Sequence, residues 1–77
     1  MTYIEFLRKK YEKANTYDLL ELTLLSEKLK NSSNEGEKYL GMNYSIAINW
    51  ILKAKDLKFL KAYGELKRVL YGQKRIY

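Results

Sequence analysis

An apolar row at helical spacing runs through residues 43–71 and constrains the fold more than any other feature of the chain. At about 100° per residue, Lys53, Lys61 and Arg68 fall roughly opposite five apolar side chains. The five are Leu52, Phe59, Tyr63, Leu66 and Leu70. A second apolar side consists of Ile46, Trp50 and Leu57. The pattern predicts an amphipathic helix whose N-terminal half is enclosed by other helices or by a partner.

The sequence between Lys53 and Asp56 leaves open whether this segment forms one helix or two. Asp56 could cap a separate last helix, or one helix could continue straight through. Gly64 costs a helix about 1 kcal/mol relative to Ala, which suggests close packing or a bend there. Gly72 is expected to cap the C-terminal end, and residues 73–77 are expected to form a frayed basic tail.

Cap signals also divide the earlier part of the chain. Thr2 and Glu5 have the spacing of a capping box, so the first helix is expected to begin at the N-terminus. Asn15-Thr16 predicts the start of a second helix that runs to about Lys30. This helix carries leucines on several sides, so it should be central and touch at least two others. Residues 31–37 are rich in Asn, Ser and Gly and are expected to form an exposed connector.

These patterns predict one all-α domain over residues 1–77, a compact bundle of three to four helices with a long C-terminal amphipathic helix. The 77 residues include no Cys, His or Pro. Disulfides and the usual zinc ligands are therefore missing, as are the commonest catalytic base and nucleophile. A calcium loop at residues 31–42 fails because Met42 would occupy the position of the bidentate Glu. We expect no metal, no cofactor and no enzymatic activity.

The same sequence argues against export and against insertion in a membrane. Glu5 interrupts what would have to be the basic region of a signal peptide, and no apolar stretch of suitable length follows it. The longest uncharged run, residues 39–52, is shorter than the ~20 residues that span a bilayer. We expect a cytoplasmic protein. Its richness in Lys, Tyr, Ile and Asn suits an AT-rich genome such as that of a bacteriophage.

Residues 37–50 also fit the layout of a DNA-binding helix-turn-helix regulator, with Gly41 in the turn. Under this hypothesis the inward side chains are Leu40, Met42, Ala47 and Trp50. The side chains facing DNA are Asn43, Tyr44, Ser45, Ile48 and Asn49, and Lys53 and Lys67 contact phosphates. Glu37 and Ile48 do not suit this layout. Two helices joined at a glycine would account for the same sequence pattern in a protein that does not bind DNA.

Positive charge is concentrated in the last third of the chain. Residues 1–52 carry seven basic and seven acidic side chains, whereas residues 53–77 carry eight basic side chains against two acidic ones, which gives the net charge of +6. Three interpretations stay open, namely a solubilising surface, a nucleic-acid phosphate contact and a contact with an acidic protein surface.

Eight tyrosines and one tryptophan are more aromatic surface than so small a core can hide. We therefore predict a protein-binding face in the C-terminal half of the chain. Its residues are Trp50, Lys61, Tyr63, Arg68, Tyr71 and Arg75. The expected partner is a larger protein with an acidic or mixed surface, and a homodimer is the second arrangement that would cover such a face. The chain would then act as an adaptor, inhibitor or regulator.

Overall fold

The computed structural model describes the backbone of residues 1–74 and the side chains of residues 1–72. The described chain forms four helices and no strand: α1 is Tyr3–Tyr11, α2 is Thr16–Lys30, α3 is Glu35–Lys53 and α4 is Leu57–Lys74. The predicted all-α bundle of three to four helices with a long C-terminal helix is confirmed.

Each helix begins directly after a residue whose side chain caps it. Thr2 Oγ1 accepts a hydrogen bond from the Glu5 backbone N–H at 3.2 Å. Asn15, Asn34 and Asp56 each accept one from the N–H three residues further on, at 2.8, 3.0 and 2.8 Å. Each bond satisfies a backbone donor that has no partner within its own helix. The predicted starts of the first two helices are confirmed.

The remaining boundaries answer one open question and correct two predictions. Residues 43–71 belong to two helices, since residues 54–56 separate α3 from α4 and Asp56 caps the second. The connector predicted over residues 31–37 is shorter, because Asn34 caps α3 and the helix begins at Glu35. Gly72 lies inside α4 and is not its C-cap. Residues 73 and 74 continue the helix, and the rest of the predicted tail, residues 75–77, lies outside the described residues.

The helices pack in the order α1, α3, α2, α4: α3 packs against α1 and α2, and α2 packs against α3 and α4. The prediction that the second helix touches at least two others is confirmed. Tyr3 stacks with Tyr44, and Arg8 lies over Trp50 further along both helices, so α1 runs parallel to α3.

Gly41 lies where α3 crosses α2, and the turn predicted at this residue is wrong. The helix continues through Gly41, which is buried. A Cβ atom here would lie 2.8 Å from both Ser26 O and Lys30 N. Ser26 Oγ donates a hydrogen bond to Gly41 O at 2.8 Å across the crossing. Glycine is needed for this close approach of two backbones and not for a change of direction.

The core is small. Its central buried cluster draws on α2, α3 and α4 and consists of Leu19, Leu20, Leu22, Ile48, Ile51 and Tyr63. Leu7 of α1 is buried as well. The Cα atoms span 33 × 30 × 14 Å. Because neighbouring helix axes lie about 8–10 Å apart, the shortest dimension has room for at most two helices. Every helix therefore keeps a side that faces solvent. Over the described residues, no helix has the length and apolar character needed to cross a membrane.

Candidate functional site

One side of α3 carries a row of large apolar side chains that the described helices leave exposed to solvent. Tyr39, Met42, Ile46 and Trp50 are 69%, 56%, 48% and 42% exposed. Their spacing of three, four and four residues places them on one side of the helix. These four residues are called the α3 stripe below. The other sides of α3 are buried against the rest of the bundle and carry Gly41, Asn43, Ala47, Ile48 and Ile51.

Arg8 of α1 borders the α3 stripe at its C-terminal end. Its guanidinium carbon lies 4.1 Å from the centroid of the Trp50 ring, within the distance of a cation–π interaction. Both side chains line a cavity of about 330 Å³ between α1 and α3, together with Glu12 and Lys55. The buried Arg8 Nε has no hydrogen-bond partner among the described residues. A planar cation and an indole ring are thus presented together at the edge of an open cavity.

At its N-terminal end the α3 stripe continues onto the start of α1. Tyr39 and Tyr3 both line a cavity of about 540 Å³. Tyr3 in turn stacks on Phe6 and Tyr44, with ring centroids 6.1 and 6.5 Å apart. The neighbouring Tyr3 hydroxyl, together with burial, raises the pKa of Tyr44. Tyr3 and Phe6 are both nearly half exposed, so they enlarge the uncovered aromatic surface.

The structure separates the residues of the predicted protein-binding face. Trp50 belongs to the α3 stripe, whereas Lys61 and Arg68 are exposed on α4. Trp50 and Leu52 are two residues apart, about 200° around α3, and Leu52 packs against the core cluster that contains Tyr63. Trp50 therefore does not share a surface with Tyr63.

Two of the predicted contact residues on α4 are not free surface groups. Tyr63 is buried, and its hydroxyl lies 2.7 Å from Thr23 Oγ1, so it is not available to the predicted protein-binding face. Tyr71 is half-buried, and its hydroxyl oxygen is buried. Burial and the nearby Glu27 carboxylate raise the pKa of Tyr71. Arg75 lies outside the described residues.

The residues assigned to DNA contact do not form one face either. Asn43 is buried beside the start of α1, and Tyr44 is half-buried against Tyr3. Ser45 and Asn49 line a cleft with Lys67 of α4. Lys53 is exposed at the end of α3. Because the helix is continuous at Gly41, the orientation that a helix-turn-helix would give these residues does not exist here.

The helix-turn-helix hypothesis predicts that Met42 and Trp50 face inward, but the structure leaves both exposed. Sequence reasoning thus missed most of the α3 stripe, and it also missed Arg8. A signal was present, because α3 is apolar around most of its circumference. That pattern predicts a cover of helices or of a partner on every apolar side, but not which side a partner would cover.

Comparison with protein-family models, with curated proteins and with solved structures finds no match to this chain.

Proposed function

We propose that this is a small non-enzymatic interaction protein, an adaptor, inhibitor or regulator, that docks on a larger protein through the α3 stripe. The observation that carries the proposal is the exposure of four large apolar side chains in one row. Apolar residues scattered singly on a surface are ordinary, but a contiguous patch marks interaction sites. Trp, Tyr and Met are also enriched where interfaces are most buried.

The charges around the α3 stripe indicate the chemistry of the partner. Arg8 lies over Trp50, and Lys53 is one helical turn beyond it. Lys38 stands one turn before Met42 at the other end, where it pairs with the exposed Glu35 at 3.7 Å. These three cations outnumber the two carboxylates that accompany them, Glu12 near Arg8 and Glu35 beside Lys38. The matching partner surface is an apolar groove with acidic groups along its rim.

This proposal keeps the predicted class of partner but moves the centre of the contact from the C-terminal half to α3. Trp50 is common to both. The exposed Lys61 and Arg68 of α4 contribute to the positive field of the molecule, which speeds encounter with an acidic partner.

A pair of matched substitutions tests the proposal. Ile46 on the α3 stripe and Val69 on α4 are β-branched, about half exposed and helical. Ile46→Asp places a charge in the proposed contact, whereas Val69→Asp places the same charge outside it. Tagged wild-type protein and both variants are used to capture proteins from a nuclease-treated bacterial lysate, and circular dichroism verifies that each variant is folded.

We expect wild type and Val69→Asp to retain one stoichiometric protein that Ile46→Asp loses. Loss with both variants, retention with both, or no stoichiometric protein with wild type would contradict the proposal. The partner's charge is tested in the same assay, because Arg8→Gln should weaken capture more at low salt than at high salt.

DNA binding stays a prediction that now depends on charge alone. The excess of basic residues after position 52 supports it, whereas the continuous α3 removes its original geometry. Titration of labelled duplex at two salt concentrations tests it, because phosphate contacts give affinity that falls steeply with salt. Weak binding that is indifferent to sequence would leave only the protein-binding function.

A further inference from the structure

On the opposite side of α3 from Trp50, the helices α2, α3 and α4 enclose a second, polar cleft. Its volume is about 240 Å³, and eight of its ten lining residues carry polar or charged side chains. This volume lies below the range of about 300–1,000 Å³ that is common for drug-sized ligands, so it suits a small polar group. We call it the polar cleft.

Three of the hydroxyl groups in the polar cleft are already used by the fold. Thr23 Oγ1 donates to Leu19 O at 2.9 Å and therefore accepts the proton of the Tyr63 hydroxyl at 2.7 Å. Ser26 Oγ donates to Gly41 O. The hydroxyl protons of Thr23, Ser26 and Tyr63 are therefore all used in hydrogen bonds within the protein, and none is left to donate to a ligand.

The other polar side chains of the cleft, Lys30, Ser45, Asn49 and Lys67, have hydrogen-bond donors that the fold does not use. Lys30 Nζ lies 3.4 Å from Ser45 Oγ, at the limit of a hydrogen bond. Lys67 of α4 faces the same space, and its Nζ is 5.5 Å from the Tyr71 ring centroid. Asn49 completes the rim. The side chains of two lysines, a serine and an asparagine thus line one small volume.

Among the described residues, Glu27 is the only acidic one that lines the polar cleft, and it makes no direct contact with either lysine. Among residues 1–72, the one ion pair within 4.0 Å joins Lys38 to Glu35. Glu27 lies close to the buried Tyr71 hydroxyl, whose pKa it helps to raise. Two positive groups against one negative group leave the cleft with a net charge of about +1 at neutral pH.

We propose that the polar cleft binds a phosphoryl group, either as inorganic phosphate or as a small phosphomonoester. Lys30 and Lys67 supply the charge, and Ser45 and Asn49 supply neutral hydrogen bonds. Charge-assisted hydrogen bonds to phosphate are the strongest that such side chains form. The proposal is independent of the α3 stripe, because no residue of the stripe lines the polar cleft.

The test is a titration followed by the NMR shifts of the Ser45 and Asn49 backbone amides. Inorganic phosphate and glycerol phosphate are added separately, with sodium chloride at matched ionic strength as the reference. We expect saturable shifts with phosphate and none with chloride. Tighter binding of glycerol phosphate would identify a phosphomonoester as the ligand, and equal binding would identify phosphate itself.

Three substitutions show whether the polar cleft is the site. Lys67→Gln should weaken the phosphate affinity about tenfold, as expected for the loss of one charge-assisted contact. Glu27→Gln should tighten it, because the substitution removes the negative charge that Glu27 contributes to the lining of the cleft. Lys61→Gln removes one positive charge from the exposed side of α4 and should leave the affinity within about twofold. Equal losses in Lys61→Gln and Lys67→Gln, weaker binding in Glu27→Gln, or no saturable shift would overturn the proposal.

Discussion

Two tyrosines of α4 differ in what their hydroxyl groups do, although both point toward α2. The Tyr63 hydroxyl has one partner, Thr23, at 2.7 Å. The Tyr71 hydroxyl is buried without a hydrogen-bond partner within 3.5 Å among the described residues. A buried hydrogen bond stabilises a protein by about 0.5–1.5 kcal/mol, whereas a buried polar group without a partner destabilises it.

Replacing each tyrosine by phenylalanine should therefore have opposite effects. Tyr63→Phe should lower the free energy of unfolding by about 1 kcal/mol. Tyr71→Phe should leave it unchanged or raise it, because the lost hydroxyl made no hydrogen bond. Urea denaturation followed by circular dichroism measures both. A larger loss in Tyr71→Phe than in Tyr63→Phe would show that the Tyr71 hydroxyl does make a stabilising contact, with Glu27 as the candidate.

Tyr71 should also make stability depend on pH in the alkaline range. Its pKa is raised in the folded protein by burial and then by Glu27, whereas in the unfolded chain it stays near 10. Above pH ~10 the unfolded state loses this proton while the folded state keeps it, so stability falls as pH rises. Below pH ~10 the contribution is fully present.

We expect the free energy of unfolding to fall less steeply with pH in Tyr71→Phe than in wild type, measured by urea denaturation on both sides of pH ~10. Tyr17 and Tyr44 also have raised pKa values, so some slope should persist in the variant. Identical slopes in the two proteins would show that Tyr71 ionises in the folded protein as it does in the unfolded chain.

At the scale of the helices, two glycines with the same backbone conformation have different reasons to be there. Gly41 of α3 touches the backbone of α2, and an added Cβ atom would lie within 3 Å of three atoms. Gly64 of α4 is exposed, and nothing lies within 4 Å of its added Cβ atom. The close packing suggested for Gly64 is therefore not seen. It is Gly41 that packs closely, against the backbone of α2.

Alanine substitutions should separate the two glycines. Gly64→Ala should raise the free energy of unfolding by about 0.4–1 kcal/mol, because alanine favours the helix and restricts the unfolded chain. Gly41→Ala should lower it by about 1–3 kcal/mol, because α2 and α3 have to move apart. Chemical denaturation of the two variants checks both signs. A destabilised Gly64→Ala would indicate that α4 is closely approached there, by a partner or by a second copy.

The helix boundaries were the part of the fold that sequence could predict best at this scale. Thr2, Asn15 and Asp56 could be recognised as caps because capping is a local interaction between residues three apart. The end of the connector at Asn34 was missed because several Asn and Ser residues compete for the same role over residues 31–34. The pairing of the helices was not predictable, since it depends on contacts such as Ser26 to Gly41 that are distant in sequence.

At the scale of the whole molecule, the α3 stripe could be covered by a partner or by a second copy of the chain. A symmetric dimer would bring the same set of cations, Arg8, Lys38 and Lys53, into one interface from both copies. The chain as a whole carries a net charge of +6. Like charges within one interface oppose association, most strongly at low salt.

We therefore expect a monomer at micromolar concentration and low ionic strength, as measured by sedimentation equilibrium. Ile46→Asp and Val69→Asp should sediment like wild type. A dimer that Ile46→Asp dissociates and Val69→Asp does not would identify a second copy as the occupant of the α3 stripe, in place of a larger protein.

The sequence by itself determined that the chain is helical, where the first two helices begin and that Asp56 could start a fourth. Capping and periodicity are properties of neighbouring residues, so they are readable along the chain. Only the tertiary structure decided which side of α3 stays uncovered, that Tyr63 is buried, and that Lys30, Lys67 and Glu27 surround one cleft. Those outcomes depend on where Gly41 allows α3 to cross α2, and on where α1 and α4 then pack. When a helix has two apolar sides, no local sequence pattern specifies which of them the other helices cover.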